Sequence, residues 1–195
     1  MAQTVIIIGG VALGPKAACR FKRLEPQSRV ILIDQSERIS YGGCGIPYFI
    51  SGDVSDPDQL QSTSFNMLRD EKFFREAKGV DVWTLTRALD IDRPAKKVRV
   101  RKLVTGEELD LSYDQLVLAT GSVPRRLATP GADLPGIYAI AGLEEPIRIK
   151  ETISKGRVGK AVIIGAGPIG LEMAEALSDL WGIETTVVEL RDQIL

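Results

Sequence analysis

The sequence predicts an α/β protein built on parallel sheet, and three observations predict it. A β-branched run, a glycine-rich turn and a helical pattern follow one another in "TVIIIGGVALGPKAACRF". The same order returns in "KAVIIGAGPIGLEMAEALSDL". Each copy leads to a second apolar run with an acid at its end: "SRVILID" closes on Asp34, and "ETTVVEL" carries Glu189. Continuous apolar strands alternating with helices belong to parallel sheets covered on both faces.

The second copy is the more regular. It carries a full G-x-G-x-x-G at Gly165, Gly167 and Gly170. In such a turn the first glycine allows the tight bend and the second lets a pyrophosphate approach the backbone. The third allows the helix to pack closely on the strand, with the helix N-terminus facing the phosphates. Glu189 stands 19 residues after Gly170, where an acid accepts hydrogen bonds from a ribose diol. The first copy has Gly9, Gly10 and Gly14, with Val11 in place of the middle glycine and Leu13 where a small residue is common. Pro15 suits the first turn of a helix, where its missing N–H costs nothing. Asp34 stands 20 residues after Gly14. Both copies therefore read as dinucleotide turns of Rossmann-like units.

Between the copies the pattern changes. A polar loop, "SGDVSDPDQ", runs into an expected helix over "FNMLRDEKFFREAKG", and "VDVWTL" reads as a short strand. The stretch "RALDIDRPAKKVRVRKLVTGEELDLSYDQ" alternates apolar and polar residues around two turn signals, as an antiparallel meander does. "QLVLATGSVPRR" is a buried strand ending on Thr120-Gly121, and "KETISKGRVGK" is a helix end leading into the second unit. The expected organisation is one domain over residues 1–150 and the opening βαβ of a second over 151–195.

Composition narrows the function classes. A net charge of −1 supplies no field to gather nucleic acid or an anionic membrane. No apolar run reaches the length of a bilayer span, and the N-terminal run is short and lacks a charged lead. Two cysteines 25 positions apart are no disulfide framework, so a cytoplasmic protein with reduced thiols is expected. With no histidine, neither a Ser-His-Asp nor a Cys-His mechanism is available, and no metal site is expected.

Cys44 lies in "YGGCGIPYF", among Gly42, Gly43 and Gly45 and ahead of Pro47, a residue suited to opening a helix. Bare backbone leaves room for a flat ring and a bulky substrate. A helix start also carries partial positive charge, which favours a nucleophilic thiolate. The opposing reading is a small core hydrophobe. Cys19, in the helical pattern "KAACRFKRL", has no such context and reads as packing.

Taken together, "VIIIGGVALG", "YGGCGIPY", "LVLATGSVP" and "VIIGAGPIGLEMAEAL", in that order and spacing, resemble the two-dinucleotide flavoprotein disulfide reductases across essentially the whole chain. The resemblance implies that residues 1–150 bind FAD through Gly9, Gly10, Val11, Ala12, Gly14, Asp34, Gln35, Ala88, Ala119, Thr120 and Gly121. It implies NAD(P)H binding by Gly165, Gly167, Pro168, Ile169, Gly170, Glu172 and Glu189, Glu172 being otherwise an exposed helix residue. Glu189 favours NADH, because a carboxylate repels a 2′-phosphate; Arg191 nearby leaves NADPH as the alternative.

Phe49 stands where dithiol members carry their second cysteine, so a single redox cysteine, Cys44, is implied. That is similar to the group of CoA-disulfide reductase, persulfide reductase, NADH oxidase and NADH peroxidase. Peroxidase and oxidase members have a histidine in the first glycine loop at the place of Ala12, which points this chain toward CoA disulfide, persulfide or polysulfide. Leu13, and Gly43 in place of a common asparagine, depart from that group. The substrate side would include Ser40, Gly43, Lys22, Arg23 and Lys72, the basic three serving coenzyme A phosphates; a solvated basic helix face is the other reading.

Members of the group are homodimers that continue well past the equivalent of Leu195. The strands 161–164 and 185–189 are therefore expected to have apolar faces with little to cover them. The 195-residue chain alone is expected to be nearly inactive. Two classes remain open: a flavin-dependent oxidoreductase, including an NADH oxidase type, and a non-catalytic dinucleotide-binding module.

Overall fold

Val5 to Ile8 are four consecutive buried aliphatic residues, and an extended strand sends such a run alternately to two faces. In the computed structural model, which describes residues 2–194, they lie in β1 (Thr4–Ile8), the centre of a four-stranded sheet. The chain then forms α1 (Leu13–Leu24), β2 (Arg29–Ile33), α2 (Ile46–Ser51) and α3 (Pro57–Gln61). It continues through α4 (Glu71–Phe73) with a one-turn π-helix (Phe74–Lys78), then β3 (Asp81–Trp83), β4 (Thr86–Asp92), β5 (Lys97–Lys102), β6 (Glu108–Ser112) and β7 (Gln115–Leu118). After a long irregular stretch come α5 (Glu144–Ser154), β8 (Lys160–Ile164), α6 (Pro168–Ser178) and β9 (Glu184–Val188). Among the described residues no helix is long and apolar enough to cross a membrane.

Packing divides the chain into two units. The first joins the residues up to Gly42 with Gln61–Gly121. Its parallel sheet runs β3-β2-β1-β7, with Val5 paired to Val30 on one side and to Gln115 on the other. The period of two sorts the strands' side chains. Val5, Ile7, Val30 and Leu32 pack with Ala18 of α1, and with Phe74 and Val80 beyond α4. Ile6, Ile8, Ile31 and Ile33 pack instead on Val98 and Val100 of the meander β4-β5-β6.

Both meander valines are fully buried, each contributing about 1.5–3 kcal/mol. On the other face of β5, Arg99–Asp110 and Arg101–Glu108 are solvent-exposed ion pairs worth at most about 1 kcal/mol each. Apolar burial therefore sets the register, and the ion pairs decorate it.

The helix expected over residues 65–79 is corrected by the structure. Residues 62–68 form a tight loop closed by a Ser62–Leu68 bridge, with Asn66 in the left-handed region at φ 57°. Helix begins only at α4, where the Asp70 carboxylate caps it by accepting from the Phe73 N–H at 2.8 Å. A second difference lies in "SGDVSDPDQ": Pro57 opens the short helix α3 inside what reads as a polar loop.

The second unit joins Gly43–Leu60 with the chain from Ser122 onward. Here β8 and β9 pair in parallel, Val162 with Thr186 and Ile164 with Val188. Only one face of this ribbon is covered: Met173, Ala176 and Leu177 of α6 are buried, whereas Val162 and Ile164 are each 67% exposed. The expected uncovered apolar face is present.

Two glycines give a direct test of this backbone. A Cβ on Gly14 would stand 1.8 Å from the Gly9 carbonyl oxygen, whereas one on Gly43 would meet nothing within 4 Å. Gly14→Ala is expected to destabilise the first unit by about 3 kcal/mol, and Gly43→Ala to change stability by less than about 0.5 kcal/mol. Urea midpoints check both; equal effects would contradict the stated contacts.

Candidate functional site

The two glycine turns are built by the same hydrogen bonds. In the first, the Gly9 N–H donates to the Ile33 carbonyl at 2.8 Å, and the Gly10 N–H to Asp34 Oδ2 at 2.5 Å. In the second, the Gly165 N–H donates to the Val188 carbonyl at 2.8 Å, and the Ala166 N–H to Glu189 Oε2 at 2.6 Å. Gly9 and Gly165 both hold positive φ, 112° and 102°, which only glycine adopts without strain. A Cβ on Gly170 would approach the Gly165 carbonyl oxygen to 2.0 Å, as Gly14 does that of Gly9. A Cβ on Gly9 itself would collide with the Ala119 carbonyl at 2.1 Å, so the strand-end segment Ala119-Thr120-Gly121 lies directly against the first turn.

These turns suit a dinucleotide. Ala12 caps α1 and Gly167 caps α6 without any side-chain hydrogen bond, and neither first turn carries an acid. Their first N–H groups therefore remain for an anion, in helices of 12 and 11 residues. Pro168 and Ile169 open α6, and exposed Glu172 follows one turn later. Asp34 also accepts from the Ser36 N–H at 2.8 Å, which fixes the carboxylate while leaving it lone pairs for a ribose. Val11 and exposed Gln35 flank the first turn, and Ala88 stands at the β-bulge of β4.

Glu189 is held more tightly still. Besides the Ala166 N–H, it accepts from the Leu190 and Arg191 N–H groups at 2.8 and 2.9 Å. The Ala166 bond first, then the Arg191 bond, hold its carboxyl below the ordinary value of 4.5.

Ser40 is buried and sits at φ 52°, unusual for a residue with a side chain. Its N–H donates to the Gly10 carbonyl at 2.7 Å, tying the chain ahead of Cys44 to the first glycine turn. Cys44 follows in the 3-10 turn Gly43–Gly45, its thiol free and exposed. Gly45 caps α2, with Pro47 in the first turn. The opposing reading of Cys44 as a core hydrophobe does not survive this exposure.

Cys19 is half-buried against the α1 core, and burial pushes its thiol up, opposed by Lys78 and Arg23. It borders a hollow of about 240 Å³ with Lys22, Arg23, Ala77 and Lys78. Lys22 is partly committed there, donating from Nζ to the Ser28 carbonyl at 2.7 Å. Arg23 and Lys72 are exposed.

Sequence reasoning missed two residues that hold α2, the helix following Cys44. The Trp181 indole N–H donates to the Ile50 carbonyl of α2 at 2.8 Å. Lys150 Nζ donates to the Val54 and Ser55 carbonyls at 2.7 and 3.1 Å, over the Phe49 ring at 4.1 Å. A lone Trp and Lys far along the chain carry no motif that would have marked them.

Residues 3–195 match the family model described as pyridine nucleotide-disulphide oxidoreductase, and the chain belongs to that family. Among its relatives is the NAD(P)H coenzyme A polysulfide/persulfide reductase of Pyrococcus horikoshii, 35% identical over all of this chain and 41% of that protein. An NADH oxidase of Methanocaldococcus jannaschii is 31% identical over 97% of this chain and 41% of its own length. The NAD-dependent persulfide reductase from A. fulgidus superposes with a TM-score of 0.94 at 39% identity, over 98% of this chain and 35% of that one. The chain thus spans about two-fifths of the relatives it matches.

Two predictions follow from the site. Iodoacetamide should label Cys44 at least about tenfold faster than Cys19 at neutral pH, read by peptide mass spectrometry; faster labelling of Cys19 would contradict the assignment. Because the carboxyl of Glu189 is held low, its stabilising contribution is complete above 4.5 and lost as pH falls through the lower folded value. The stability gap between wild type and Glu189→Gln should therefore narrow from neutral pH to pH 3; a constant gap would contradict it.

Proposed function

We propose that the chain is the FAD- and pyridine-nucleotide-binding part of a reductase that acts on a small sulfur substrate at Cys44. The observation that carries this reading is the pair of turns with one hydrogen-bond scheme, each ending on an acid, together with one exposed, glycine-flanked thiol. In this reading Gly9, Gly10, Val11, Ala12 and Gly14, with Asp34, Gln35, Ala88 and Ala119–Gly121, hold FAD. Gly165, Gly167–Gly170, Glu172 and Glu189 hold NADH. We place the functional boundary between the two at residues 150 and 151.

Bound FAD would supply a two-electron relay between nicotinamide and sulfur. The chain's own residues bind and orient. The N–H groups opening α1 and α6 would hold the two pyrophosphates, and Asp34 and Glu189 would accept from the riboses. Cys44 presents its sulfur from backbone without side chains that would block a bulky disulfide. The names of the relatives from Pyrococcus horikoshii and A. fulgidus favour a CoA-linked persulfide, polysulfide or disulfide as substrate. Ser40, Gly43, Lys22, Arg23 and Lys72 would form its side of the site, in a cytoplasmic homodimer.

The second reading is an NADH oxidase, favoured by the Methanocaldococcus jannaschii relative. Ala12, in place of a histidine, speaks against it.

Turnover separates the two readings when the chain is assayed in a protein of the relatives' length with added FAD. CoA disulfide or polysulfide should be reduced by NADH at least about tenfold more efficiently than by NADPH, as expected when a carboxylate excludes the 2′-phosphate. Cys44→Ser should abolish that activity. Undiminished sulfur reduction by Cys44→Ser, or oxygen as the only acceptor, would overturn the proposal.

A further inference from the structure

Immediately before Cys44 the backbone is exposed at Gly42 and Gly43. Gly42, Gly43 and Gly45 flank Cys44 in the chain; a Cβ on Gly43 would meet nothing within 4 Å, whereas one on Gly45 would stand 2.5 Å from a methyl group of Leu60. The chain is next fastened at Ser40 on one side of this stretch and at α2, which begins two residues after Cys44, on the other. That helix has six residues, too few to be stable without outside contacts.

Its far end is fastened from other parts of the chain. Left-handed Gly52, at φ 106°, ends the helix, and the Val54 N–H returns to the Tyr48 carbonyl at 2.9 Å. The carbonyl groups left over at this end take donors from two distant parts of the chain. The Trp181 indole reaches the Ile50 carbonyl from just beyond α6. The Lys150 ammonium, on α5, reaches the Val54 and Ser55 carbonyls and lies over the ring of buried Phe49. A cation over an aromatic face and a half-buried indole donor each fix orientation as well as distance. α5 precedes and α6 follows the second glycine turn, so the segment that carries that turn also grips the helix of Cys44.

We infer that Lys150 and Trp181 are positioning residues for Cys44, holding α2 from its C-terminal end so that the glycine-flanked thiol has one location. The inference rests on the assignment of Cys44 as the sulfur-handling residue for its consequence, but not for its test.

The test places a nitroxide on Cys44 in the 195-residue chain carrying Cys19→Ala, and reads its spectrum. Trp181→Phe removes the donor and keeps an aromatic ring. Lys150→Met removes the charge and keeps the stem, and Lys150→Arg keeps both donors and cation. The mobile fraction of the label is expected to rise at least twofold in Trp181→Phe and in Lys150→Met, and to stay at the wild-type level in Lys150→Arg. A second label, introduced by Arg20→Cys on the exposed face of α1 with both native cysteines replaced by alanine, should keep the same spectrum in every variant. Superimposable Cys44 spectra in all variants would overturn the inference. Equal loosening of the α1 label would overturn it as well, since that marks general destabilisation. Sulfur turnover of Cys44→Ser, which tests the proposed function, does not enter this measurement, so either claim fails without the other.

Discussion

The structure depends on one close approach of backbone to backbone, made twice. A helix leaves a strand through a turn so tight that its third glycine faces the carbonyl of the first. The space left for a side chain there is 1.8 Å at Gly14 and 2.0 Å at Gly170. No side chain other than hydrogen fits. Because the approach is so close, the helix N-terminus stands over the carboxyl ends of the strands. Because it stands there, the next strand brings its terminal acid back to the same turn, Asp34 to Gly10 and Glu189 to Ala166. The pyrophosphate end and the ribose end of the proposed dinucleotide sites would be consequences of the same packing constraint.

The two copies then diverge in what surrounds them. The first is enclosed within its unit: its sheet is covered by α1 on one face and by the meander on the other, and Ala119 seals the turn from the side. In the second, the two-stranded ribbon buries one face only. Glu189 compensates locally with three backbone hydrogen bonds, so its turn is ordered by polar contacts where the first is ordered mainly by core packing. Cys44 belongs to neither turn. It occupies the connection that Ser40 anchors to the first copy and that α2 carries onward.

Much of this was legible in the sequence, for identifiable reasons. The strands β1 and β2 of the first sheet announce themselves because both faces are buried, which makes their apolar runs continuous. The meander was legible because one face is wet, so its apolar residues alternate. The glycine turns and their acids were legible because a spacing fixed by geometry leaves a spacing in the chain. Residues 65–70 were misread as helix because their apolar residues, among them exposed Phe65 and Met67, do not report burial there. The grips of Trp181 and Lys150 on α2 were invisible for another reason. Carbonyl acceptors carry no residue identity, so nothing local distinguishes a Trp or Lys that caps a distant helix from one that does not.

The central claim is that one hydrogen-bond scheme, repeated, makes two separate dinucleotide turns with different ligands. Backbone amide resonances of the isotopically labelled chain, followed while FAD and then NADH are added, address it directly. FAD should shift Gly9–Gly14 and Asp34 while leaving Gly165–Gly170 in place, and NADH should shift Gly165–Gly170 and Glu189. Both ligands acting on the same turn, or neither acting on either, would contradict it.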